Sequence, residues 1–234
     1  GEQAWTQLRD SLQPLLDDAR PLFADGRAQP LAQAVDLDLG DGLRLTGVID
    51  RVFRGADGSL LLFDVQPNRA AGLKEMLTFY IDWAALRLTH AADVHGDYLE
   101  PNSNKKGTRR SGLIEIMQRQ DSAQLRHGLR RLIAATQSAE QQPLLFFPLT
   151  ALAYAASEPE DRLTKAKSAW EGDRFNHAGE REYSPGYAAL LSRRLDLFDS
   201  DSPAYQAFVA ATGLFSSVLY PTHSTVLKES CESP

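Results

Sequence analysis

Trp5, Leu8, Leu12, Leu15 and Leu16 recur at helical spacing and predict an amphipathic helix over residues 4–17. Pro21 and Pro30 mark an irregular stretch after it. Val35, Leu37 and Leu39 then alternate with Asp36 and Asp38, which predicts a strand over 34–39, and Asp41-Gly42 signals a turn. A second alternating run follows from Leu43 to Phe53. Gly55-Ala56-Asp57-Gly58 reads as a hairpin turn in which Gly58 takes positive φ. Leu60–Val65 is a nearly continuous apolar run around Asp64, the composition of a central strand buried on both faces.

The period then changes. Leu73, Met76, Leu77, Tyr80, Ile81, Ala84 and Leu88 form one stripe of a helix of about four turns. Val94–Leu99 and Gly112–Met117 read as a strand pair around a polar loop from Glu100 to Ser111. Asp121-Ser122 caps a helix running to about Gln137. Leu144–Pro148 reads as a short buried segment, Arg162–Glu171 as a helix, and 172–186 as a long loop. Ser202-Pro203 opens a last helix through Leu219, with Tyr205, Phe208 and Phe215 on one face. No linker divides the chain. The pattern predicts one α/β domain over 1–234, with a mixed, centrally antiparallel sheet flanked by helices. The first residue is not Met and the last stretch is polar, so the expectation is a C-terminal piece of a larger subunit.

Composition narrows the class. Hydrophobic residues make up 43% and charged residues 24% of the 234 residues, which argues against disorder. No apolar run is long enough to span a bilayer, and no secretory signal opens the sequence. The single cysteine, Cys231, excludes an internal disulfide and any CxxC site, and points to a reducing compartment, most simply the cytoplasm. There is no GxxxxGK[ST] phosphate loop and no GxSxG elbow.

The net charge of -6 is unlike that of a free-standing DNA-binding domain. It hides an asymmetry. Residues 100–131 carry eight basic side chains against three acidic ones, a local +5. Lys105, Lys106, Arg109 and Arg110 lie in the polar loop, and Arg126, Arg130 and Arg131 lie at helical spacing. Such a strip either contacts phosphates, which positions DNA without reading its sequence, or is a solvated loop and helix face.

The hairpin carries the candidate chemistry. If Gly55 pairs with Ser59, then Arg54 faces Leu60, Val52 faces Leu62 and Asp50 faces Asp64. Opposed residues share a sheet face, and Gln66 has the parity of Asp64. Two carboxylates side by side repel unless something neutralises them. One solution is a divalent cation held by oxygen ligands. Others are protonation of one carboxyl, or a basic side chain such as Lys74. Two aspartates on adjacent central strands followed by D-x-K is a Mg²⁺ site of a large nuclease superfamily. Here the triplet is Asp64-Val65-Gln66, and glutamine brings no positive charge.

Gly47-Val48-Ile49-Asp50-Arg51-Val52-Phe53 with Leu61-Leu62-Phe63-Asp64-Val65-Gln66 resembles the PD-(D/E)XK, restriction-endonuclease-like nuclease core of the RecB type. In Met76-Leu77-Thr78-Phe79-Tyr80 the tyrosine of that core's helix motif is matched and its glutamine is not. No histidine precedes Asp50. Pro143–Pro148, Lys165–Gly172, Gly179-Glu180 and Tyr187 are similar to the C-terminal region of the RecC family, the gamma subunit of exodeoxyribonuclease V. The resemblance runs in order from about residue 43 to about residue 220. It implies an inactivated nuclease fold with a vestigial site of Asp50, Asp64, Gln66 and Tyr80, and no metal. It also implies RecB-like and RecD-like partner subunits and double-stranded or forked DNA, in a complex that unwinds and processes DNA ends for recombinational repair. The rival expectation is an active Mg²⁺-dependent nuclease with a D-x-Q triplet, in which Lys74 or Glu75 completes the site.

Overall fold

A computed structural model describes residues 2–21, 23, 29–55, 57–66, 72–90, 93–101, 108–110, 113–141, 143–172, 178–183, 186 and 196–219. The chain divides into two compact units. The first comprises residues 1–71 and 75–130, the second residues 72–74 and 131–234.

The first unit opens with helix α1 (Glu2–Ala19). Strands β1 (Gln29–Gly40), β2 (Leu43–Arg54) and β3 (Leu60–Val65) follow. Next come helix α2 (Leu73–Thr89), strands β4 (Val94–Pro101) and β5 (Thr108–Arg110), and helix α3 (Leu113–Gln118). Helix α4 (Ser122–Gln141) begins in this unit. The sheet order is β1-β2-β3-β4-β5. The β1/β2, β2/β3 and β4/β5 pairs are antiparallel, and β3/β4 is parallel. A parallel pair needs a crossover, and α2 supplies it. The sheet is therefore mixed, as the pattern predicts.

The turns form for local reasons. Gly58 has φ +85° and closes the β2–β3 hairpin, with Gly55 N–H donating to Ser59 O at 2.9 Å. At the β1–β2 tip, Gly40, Asp41 and Gly42 all have positive φ. Asp121 and Gln124 cap α4 reciprocally. Gln124 N–H donates to the Asp121 carboxylate at 2.8 Å, and Asp121 N–H to Gln124 Oε1 at 2.9 Å.

Helix α2 lies against the sheet face that carries Gly96 and Tyr98. The Phe79 and Tyr98 rings meet edge to face at 5.2 Å. A Cβ on Gly96 would sit 3.1 Å from Trp83 Cδ1 and 3.3 Å from Phe79 Cε1, so glycine is what lets helix and strand approach. The buried side of α2 includes Phe79, Tyr80, Trp83 and Leu86, a broader band than the predicted stripe. Phe23, Phe53 and Phe63 form an edge-to-face cluster, with Phe23 4.8 Å from Phe53 and 5.2 Å from Phe63.

Three expectations need correction. Of the segment Gly112–Met117, read as a strand, the described residues 113–117 belong to α3, and β5 lies inside the segment read as a loop. Ile114 and Met117 are buried three residues apart with Glu115 exposed, which is a helical period. Six apolar-rich residues are too few for periodicity to separate strand from helix. The first strand begins at Gln29, five residues before the predicted start. In α1 Leu15 is buried, whereas Trp5 and Leu16 stay exposed.

The second unit contains α5 (Pro148–Ala155), α6 (Arg162–Glu171), α7 (Glu180–Tyr183) and α8 (Pro203–Leu219), and Phe208 of α8 is fully buried. Rings of Tyr154, Phe147 and Phe198 lie 5.7 to 6.4 Å from that of Phe208, and Phe147 packs on Trp170 at 4.5 Å. Ser202 caps α8, accepting from Tyr205 N–H at 3.0 Å, with Pro203 at the first helical position. Helix α5 has no side-chain cap of its own. Its first-turn amides go to the buried Glu180 carboxylate, from Leu149 N–H at 3.1 Å and Thr150 N–H at 2.7 Å. Those donors have no partner within the helix, and the helix dipole favours an anion there. A Cβ on Gly179 would collide with the backbone of Trp170, Glu171 and Gly172, so the chain reaches Glu180 only with glycine before it.

No helix among the described residues is long and apolar enough to cross a membrane. Two outcomes are expected. Glu180→Ala strands two buried amides and lowers the stability of the second unit by roughly 2 kcal/mol, read as a lower urea midpoint, while Glu180→Gln loses less. Burial, and then the hydrogen bond with Tyr205, push the Tyr154 hydroxyl up to about 12. The neutral phenol is thus favoured in the folded state. Its contribution is full below the ordinary tyrosine value and is lost as pH rises through about 12. Absorbance titration of phenolate should show a late step that Tyr154→Phe removes.

Candidate functional site

The β2–β3 ladder contains Arg54↔Leu60, Phe53↔Leu61 and Val52↔Leu62, in the register expected from the turn, and ends there. The expected next step, Asp50 opposite Asp64, is not formed. The cause lies on the other side of β2. Leu31 pairs with Val52 and Gln33 with Ile49, so Asp50 and Arg51 together oppose one residue of β1. This is a β-bulge, which adds a residue and re-aims the side chains beside it. Ile49 and Val52 are consequently both buried although they are three apart. Asp50 is exposed.

Arg51 takes the place expected for Asp50. Its Nη1 pairs with the Asp64 carboxylate and its Nη2 with that of Asp82 on α2, the latter at 2.5 Å. Both carboxylates are about three-quarters shielded from solvent, at 25% side-chain exposure. Such a part-buried pair is held more firmly than a surface one. The second Asp64 oxygen, Oδ1, accepts from Val65 N–H at 2.8 Å. The cation on Asp64 is therefore Arg51, not the Lys74 considered from sequence. The adjacent Asp50-Arg51 dipeptide and an acid on α2 were the available signals.

The other candidates scatter. Gln66 is half-buried, and its backbone N–H donates to Leu99 O at 2.9 Å. Tyr80 is fully buried and its hydroxyl donates to Gln120 Oε1 at 3.2 Å, while burial pushes the phenol well above its ordinary range. Lys74 and Glu75 lie in the first turn of α2, exposed and half-buried. Lys74 belongs to the second unit. Sequence reading missed Asp97 and Glu100, two buried acids on β4. Among the described residues no group of three or more His, Cys, Asp or Glu side chains is placed to hold a metal ion.

The basic strip divides too. Lys105 and Lys106 lie outside the described residues. Arg109 and Arg110 are in β5, opposite Glu100 and Leu99. The helical arginines serve the fold. Arg126 Nη1 donates to Asp38 O at 2.7 Å, and Arg130 pairs with Asp41 at the β1–β2 tip. Arg131 Nη1 donates to Ser217 Oγ at 2.6 Å.

The first unit is a mixed α/β unit in which a strand-borne aspartate is paired with a guanidinium. Residues 1–159 match the family model of the RecC C-terminal domain, and the chain belongs to that family. Membership associates it with the RecC gamma subunit of RecBCD, a DNA-repair complex. No curated protein matches the chain.

Arg51→Met should lower stability by about 2 kcal/mol, because it leaves two part-buried carboxylates without their cation. In a double-mutant cycle, Asp82→Asn should cost less in the Arg51→Met background than alone. Strictly additive urea midpoints would mean that Arg51 does not couple the two acids.

Proposed function

We propose that the chain is a non-catalytic, nuclease-like domain of a RecBCD-type gamma subunit. It holds RecB-like and RecD-like partner subunits and guides DNA while broken ends are processed for recombinational repair. Family membership supports the subunit assignment. The observation that carries the loss of catalysis is the Arg51 guanidinium on Asp64. A Mg²⁺ site of the PD-(D/E)XK kind needs free carboxylate oxygens on neighbouring strands and a cation on the third residue of its triplet. In this chain Asp64 is neutralised by Arg51, Asp50 is turned to solvent, and Gln66 carries no charge. These residues do not fit that ion, and the reading derives no chemistry from them.

DNA contact in this reading falls to Lys105, Lys106, Arg109 and Arg110, because the arginines of α4 are engaged within the chain. Phosphate contacts of this kind position a strand without reading it.

The deciding assay incubates single-stranded and forked DNA with the purified chain in Mg²⁺ and separately in Mn²⁺, beside Asp64→Ala. Cleavage no greater than that of the variant is expected. Cleavage that disappears in Asp64→Ala would establish an active nuclease with a D-x-Q triplet and overturn the reading. In the assembled complex, replacing Lys105 and Lys106 by alanine should weaken forked-DNA binding and reduce its salt dependence by about two charges.

A further inference from the structure

We draw no further inference here: the strongest candidate, the surface of α1 that carries the exposed Trp5 and Leu16, is a helix face without a partner among the described residues, and nothing in the structure shows what covers it.

Discussion

The Arg51 guanidinium, shared between Asp64 on a central strand and Asp82 on the crossover helix, is the contact on which the first unit turns. A carboxylate placed inside an apolar strand is costly unless it is paired. Asp64 sits in the run Leu60–Val65, where Leu60 and Leu62 have almost no solvent exposure. The arginine lets that strand stay buried and also ties α2 to the sheet. Its planar fork donates to two acids at once, which a lysine cannot do with the same geometry. The aromatic face of α2 is then held over Gly96 and Tyr98, and the parallel β3/β4 pair is covered.

That contact exists because of the bulge. A regular β2 would carry Asp50 on the face of Val52 and Leu62. The extra residue turns Asp50 outward and brings the next side chain, Arg51, to Asp64. Nothing in the alternation of β2 announces this, because a bulge is a property of the pair of strands, and its trace is only the burial of both Ile49 and Val52.

Other parts were legible because their cause is local. The Gly55–Ser59 turn, the Asp121 cap and the Ser202-Pro203 start of α8 depend on side chains within a few residues of one another. The register at Val52 and Leu62 followed from the turn alone. What sequence did not yield was set by distant partners. Helix α5 is short and uniformly apolar, and its start is fixed by Glu180, about thirty residues away. Segment 113–118 fits either period until Ile114 and Met117 find a common side. Arg126 and Arg130 read as surface charge, whereas both secure the β1–β2 hairpin.

The bulge also bears on how this site can change over time. A lysine at position 66 is a matter of base substitutions, but it would leave Asp50 facing water and Arg51 on Asp64. Returning Asp50 to the inner face requires removing a residue from one strand of the pair, an in-frame codon deletion within a paired region. Register shifts in a buried sheet displace every side chain beyond them, so most such deletions would be purged for their effect on folding. The two forms of the strand are thus neighbours in space but distant along any path of single-nucleotide replacements.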